Sequence, residues 1–268
     1  MVNRYFRYSY KLMPFPIHDK LVIAVASSAL FDLRESDAVY REKGTEVYRK
    51  YLDISRGAFL SGGSPHCYIN AFCASLFLSA NQADVEEAIQ NGYPAGRVLG
   101  YALVDDPQDT ELRVAFDFDG VLADDEAECV YQEKKLVGFN EAERERAQSP
   151  HNPGPLKRLF NQISAIQRQR RKAQSAEAEQ TRIRTAIITS RSAPAHERVI
   201  TTLREWDIEV DETFFLGGID KNRILEVFKP HIYFDDQVAY AEPAQGVIPS
   251  VHVPFGVVNQ KPNSATEA

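Results

Sequence analysis

The sequence has no long apolar run, no surplus of positive charge, no cysteine pairing pattern and no glycine-rich phosphate loop. Each absence removes a class of protein. The most apolar run, Leu21 to Phe31, is far shorter than the ~20 residues a membrane-spanning helix needs, and no small-residue cleavage site accompanies it. Three cysteines, Cys67, Cys73 and Cys129, form no Cys-x-x-Cys pair, and an odd count closes no disulfide framework. The expectation is a soluble protein of a reducing, cytoplasmic compartment. A net charge of −7 and a pI near 5.5 argue against nucleic acid or a membrane surface as partner, because both need a positive face. The basic run Arg168 to Lys172 stands in a helix-forming context with Glu-Ala-Glu soon after, so it reads as a solvated face. The six histidines show no ligand spacing and are assigned no chemistry. An anionic substrate must therefore meet a local cationic site.

What the chain does have is a stretch near its middle, LRVAFDFDGVLADDE, from Leu112 to Glu126. Leu112, Val114 and Phe116 alternate as a strand would, and Asp117 and Asp119 stand one residue apart before Gly120 turns the chain. At a strand end that spacing points two acids the same way. One carboxylate can attack an electrophile while the other handles a proton, and a divalent cation between them offsets the repulsion of like charges. The chemistry suggested is phosphoryl transfer through an aspartyl-phosphate. Asp-x-Asp alone is equally compatible with a solvated turn or a structural cation site, so the reading depends on partners downstream.

Taken in order, 268 residues suit one large or two small domains. Met1 to Lys20 reads as an extended arm, Leu21 to Ala26 as a strand buried on both faces, and Asp37 to Leu52 as a charged helix. Phe59 to Asn81 reads as strand, Gly-Gly turn, helix and a second strand at Leu76 to Leu78. Asp84 to Gln90 reads as a helix and Val98 to Val104 as a strand before the Leu112 strand. From Glu126 to Arg182 the composition shifts to Glu, Arg, Gln and Ala around a Pro-Gly-Pro break, as expected of helices outside the sheet. Strands follow at Thr185 to Thr189, Phe214 to Leu216 and, last, His231 to Phe234, with a helix through Trp206 and another from Lys221 to Phe228. Strands alternating with helices predict a parallel sheet covered on both faces. The expected division is an α/β core over 1–125 and 183–258, a helical cap insertion over 126–182, and a disordered tail over 259–268.

The chain also carries a long internal repeat. Laying Leu21 onward over Leu112 onward, an offset of 91, places Ala26 on Asp117 and Ser28 on Asp119. An offset of 156 places Gly62 on Gly218, Pro65 on Lys221, and Ser79 and Ala80 on Asp235 and Asp236. Residues 21–104 thus read as a degenerate half-repeat with every charged position replaced. The competing reading is that two βαβ units resemble one another because such units generally do.

Four elements now fall at strand ends of one sheet: Asp117 with Asp119, Thr189 with Ser190 beside it, Lys221, and Asp235 with Asp236. Ligands of parallel α/β sheets sit at the carboxyl ends of strands. Asp117 would attack phosphorus, and Asp119 would protonate the leaving alkoxide and then activate water. Thr189 and Ser190 would hold phosphate oxygens and Lys221 would neutralise them. Asp236 or Asp235 would complete an oxygen shell for Mg²⁺ with Asp117 and the carbonyl of Asp119. Singly, each has a plainer reading: a strand-end hydroxyl, a helix-surface cation, a turn.

This order resembles the haloacid dehalogenase superfamily of phosphatases, with DFDGV, IIT, the lone lysine and FDD as its four motifs. It is more closely similar to the cytosolic 5′-nucleotidase I family through LVIAVASSALFDL, PGPLKRL, ITSRSAPAHERVITTLREW, FLGGIDKNRILE and PHIYFDDQ. The resemblance implies a three-layer, Rossmann-like fold of the haloacid-dehalogenase type with a helical cap. It also implies Mg²⁺-dependent hydrolysis of nucleoside 5′-monophosphates such as AMP and IMP, with Asp236 favoured over Asp235 at the metal. The alternatives are a phosphatase of another small metabolite and a nucleotide-binding sensor without turnover. Self-association into a homo-oligomer is left open.

Overall fold

The computed structural model describes residues 21, 23–25, 74–100, 108–173, 182–244 and 248–260. The expected arm, the Asp37 to Leu52 helix, the Gly-Gly turn at Gly62, and Ala26, Ser28, Pro65, Cys67 and Cys73 lie outside them. So does 261–268.

Short apolar runs bounded by turn residues become the strands β1 (Ile23–Val25), β2 (Leu76–Ser79), β3 (Ala95–Gly100) and β4 (Glu111–Phe116). They are followed by β5 (Arg182–Thr189), β6 (Glu212–Phe215), β7 (Ile232–Asp235) and β8 (Ser250–His252). The helices are α1 (Gln82–Gln90), α2 (Glu126–Glu145), α3 (Lys157–Ala173), α4 (His196–Glu205), α5 (Asn222–Phe228) and α6 (Val238–Ala244). Asn81 caps α1 by accepting from the Ala83 amide at 3.1 Å. No described helix is long and apolar enough to cross a membrane.

The strands make one sheet in the order β1-β2-β3-β8-β7-β4-β5-β6. Neighbours run parallel except β3 and β8, so the sheet is mixed where an all-parallel one was expected. The strand β8 was also missed: a strand of three residues, set between Pro249 and Pro254, is too short to show a period. Ile23 pairs with Leu76 as Val114 pairs with Ile232, and these positions differ by 91 and 156. Phe77 pairs with Ala95 as Tyr233 pairs with Ser250, a difference of 155 on the outer strand. At the antiparallel junction Arg97 faces His252, so corresponding positions meet as across a two-fold axis. The carboxyl ends of β1 and β2 therefore lie on the opposite edge from those of β4 and β7.

Both faces of the sheet are covered. On one, Phe116 of β4 stacks on Phe234 of β7 at 5.0 Å, and Phe160 of α3 meets Phe116 edge-on at 4.9 Å. Leu156, Leu159, Phe160 and Ile163 fall at helical spacing and are buried in the same cluster. Burying each such side chain stabilises by roughly 1.5–3 kcal/mol. Thus α3, which the sequence reading put within the cap insertion, covers the sheet. Among the described residues of this region, the large apolar side chains that are exposed belong to α2, Leu136 and Val137 among them. It breaks at Lys135, where φ is 56° and ψ −170°. On the other face Ala115, Ile188, Leu225, Phe228 and Tyr233 pack together. The basic run of α3 turns back to the body, with Arg168 paired to Asp207 and Arg171 to Glu209.

Candidate active site

The strand β4 enters the core, so its last three residues are buried and its carboxyl end delivers Asp117 at 4% exposure. Asp117 remains tied to the sheet: its amide donates to the Phe234 carbonyl at 2.8 Å. Its Oδ1 accepts from the Phe118 amide at 2.7 Å, and its Oδ2 lies 2.9 Å from Lys221 Nζ. Lys221 stands at the start of α5, fully enclosed, and also donates to Asp235 Oδ2 at 2.7 Å. The Tyr240 ring lies against the same ammonium, its centroid 4.5 Å away.

Asp235 and Asp236 are adjacent in sequence and differ in surroundings. Asp235 has both oxygens engaged: Oδ2 accepts from Lys221 and from the Tyr233 hydroxyl, and Oδ1 accepts from the Gln237 amide at 2.8 Å. Asp236 is buried, and its Oδ1 has no hydrogen-bond donor among the described residues. Its main chain is pinned instead, since the Asp236 carbonyl accepts from Asn259 Nδ2 at 2.9 Å. Carboxylate oxygens of Asp117, Asp235 and Asp236 all lie within 4.8 Å of one another. Gly120 makes the approach of the DFDGV turn feasible. Its φ is +70°, and a Cβ there would lie 2.4 Å from Asp236 Oδ2.

Electrostatics follow from this crowding. Burial, opposed by Lys221 and reinforced by Asp235 and Asp119, pushes the Asp117 carboxyl up to about 7. Burial and the charges of Asp117 and Asp235 push Asp236 well above its ordinary range. Burial alone would lower Lys221, yet Asp117 and Asp235 raise it, so it stays an ammonium. One ammonium serves two carboxylates and a third stands beside them. The surplus of negative charge and the unpartnered Asp236 oxygen fit a divalent cation, whose hard oxygen ligands these are.

Asp119 is held by a different cation. Its two oxygens accept from Arg191 Nε and Nη2, each at 2.7 Å. Arg191 follows Thr189, whose hydroxyl accepts from the Arg191 amide at 3.3 Å at the end of β5, next to β4. Thr189 is buried, while Ser190 is exposed. The structure thus joins Asp117, Lys221, Asp235 and Asp236 in one cluster and sets Asp119 and Thr189 around Arg191. Sequence reasoning missed Arg191, Glu143, His151, Tyr233 and Asn259. Arg191 had a signal, in that it trails its strand as Asp119 does; Glu143 and His151 had none. A second acidic group, Asp124, Glu126 and His151, could also converge within 4.8 Å. Glu126 there already accepts from Arg146 and Arg198, so it is an ion-pair knot.

A family model described as 5′-nucleotidase matches residues 13–52 and 51–260. The chain belongs to the 5′-nucleotidase family. Human cytosolic 5′-nucleotidase 1B is similar to it, 37% identical over 197 residues. That match covers 72% of this chain and 32% of the human protein, so the chain spans about a third of the length of that relative. No solved structure matches. Within this chain the four motifs expected from the sequence come from the ends of β4, β5, β6 and β7, at one edge of the sheet.

Proposed function

We propose that the chain is a Mg²⁺-dependent 5′-nucleotidase that hydrolyses nucleoside 5′-monophosphates of the AMP and IMP class to nucleoside and phosphate. The observation that carries this is the Asp117 carboxylate, buried at a strand end and held by Lys221 at 2.9 Å beside the unpartnered oxygen of Asp236. Bound Mg²⁺ would lie against Asp117 and Asp236 and would neutralise the charge developing on the phosphoryl oxygens. Asp235 would serve the site indirectly, because its oxygens are engaged in orienting Lys221.

Asp117 would attack phosphorus and Asp119 would give a proton to the leaving 5′ oxygen as the P–O bond breaks. Asp119, now a carboxylate, would take a proton from the water that opens the aspartyl-phosphate. Lys221, Thr189 and Ser190 would meet the phosphoryl oxygens. In this reading α2 is the cap, the activity is cytoplasmic, and the matching registers of β1-β2-β3 and β4-β7-β8 record an internal duplication. That duplication would keep its acids only in the second copy.

The test is phosphate release measured across nucleoside monophosphates and sugar phosphates, with and without Mg²⁺. AMP or IMP should be cleaved best and only with the cation, and Asp117→Asn should abolish release. A clear preference for sugar phosphates, or turnover without a divalent cation, would overturn the assignment.

A further inference from the structure

We propose that Arg191 is the positioning residue for Asp119, fixing that carboxylate in the direction from which it exchanges a proton with the leaving group and with water. The inference rests on the acid–base reading of Asp119 given above.

A guanidinium has five N–H groups, and each one of Arg191 has a partner. Nε and one Nη2 hydrogen go to Asp119. The other Nη2 hydrogen faces His151 Nε2 at 3.1 Å, and that ring nitrogen also lies 3.4 Å from Glu143 Oε2. The two Nη1 hydrogens go to Glu143 Oε2 and to the Ala195 carbonyl at 3.2 Å. The Phe118 and Phe139 rings lie 5.5 and 5.4 Å from the guanidinium carbon. The residue is 4% exposed. Such a group cannot turn without breaking several buried hydrogen bonds at once, so the two oxygens of Asp119 are held in the plane of a fixed fork. The same count of donors leaves none for a substrate phosphate, which removes the obvious competing role. The anchors come from α2, from the turn after it and from the start of α4, whereas Asp119 belongs to the β4 turn. Arg191 therefore carries the orientation of Asp119 from segments that do no chemistry, and a shift of about 1 Å in a reacting group can cost a hundredfold in rate.

The experiment is a double-mutant cycle with Asp119→Asn, read as kcat and KM for AMP, with Arg191→Lys and Arg191→Gln as the probes. Arg191→Gln should lower kcat about a hundredfold with KM within about threefold, since acid–base groups contribute about 10²–10⁴. Arg191→Lys, which restores the charge without the fork, should recover the melting temperature and not the rate. The Asp119→Asn/Arg191→Gln pair should be no slower than Asp119→Asn alone. If Arg191→Gln fails to fold because Glu143 Oε2 loses this donor and only Arg198 still pairs with the carboxylate, Arg191→Gln/Glu143→Gln removes that charge and gives the same reading. Full turnover in Arg191→Lys, a main effect on KM, or losses that multiply in the double variant would each overturn the proposal. Near-normal turnover in Asp119→Asn would instead sink the acid–base reading, and this inference with it.

Discussion

Asp117 should make the metal-free fold weaker as the pH rises, and replacing it with Asn should reveal by how much. Its carboxyl is raised from an ordinary 3.8 to about 7, chiefly by burial. A raised folded value means that the contribution to stability is complete below 3.8 and is lost as pH climbs through about 7. Each pH unit within that window corresponds to about 1.4 kcal/mol. Between pH 5 and pH 8 the loss is therefore about 3 kcal/mol, all of it incurred below about 7. The site is 4% exposed, so solvent screening does not reduce this appreciably. Asn cannot ionise, although one of its amide groups must face Lys221 or the Phe118 amide with the wrong polarity. That mismatch costs about 1–3 kcal/mol at every pH and cancels from the comparison. Urea unfolding of both proteins in EDTA at pH 5 and pH 8 should show the difference moving by about 3 kcal/mol in favour of Asn. Adding Mg²⁺ at pH 8 should raise the wild type and leave the variant unmoved. A difference that stays flat with pH, or moves the other way, refutes the argument that Asp117 is strained by burial without a cation.

Gly120→Ala should lower Mg²⁺ affinity and phosphate release together. The new Cβ would lie 2.4 Å from Asp236 Oδ2, and the left-handed backbone adds about 1–2 kcal/mol of strain. Isothermal titration with Mg²⁺ checks it, and unchanged affinity would mean that Asp236 is not a ligand. Glu143→Gln probes the opposite sign. Burial alone would raise the Glu143 carboxyl, but His151 and Arg191 hold it down to about 2 against an ordinary 4.5. Its contribution is thus present above 4.5 and lost as pH falls through about 2. The wild type should exceed the variant by about 3 kcal/mol at pH 7 and by only about 1 at pH 3. Denaturant titrations at the two pH values check this, and an advantage that does not shrink on acidification removes the cause assigned here.

Much of the site was legible because its chemistry is local in sequence. Asp117 and Gly120 share one turn, Asp235 and Asp236 are adjacent, and Lys221 opens a helix after two glycines. The internal offsets of 91 and 156 were readable as well, and they recur in the strand registers. What escaped was whatever depends on contacts distant in sequence. Arg191 meets Asp119 across 72 residues and Glu143 across 48. A charged composition hid the buried stripe of Leu156, Leu159, Phe160 and Ile163, by which α3 packs on the sheet. The strand β8 is held by pairing with β7 and β3, not by any propensity of Ser-Val-His.

The sequence by itself determined the alternation of strands and helices, the four motif-bearing strand ends and the identity of the acids, since periodicity and turn chemistry are short-range. Only the tertiary structure decided which carboxylate each cation serves. Lys221 holds Asp117 and Asp235, Arg191 holds Asp119, and Asp236 is left with an open oxygen. Two neighbouring aspartates are chemically identical along the chain. Burial and the direction of a strand end make one a support for Lys221 and the other a candidate ligand.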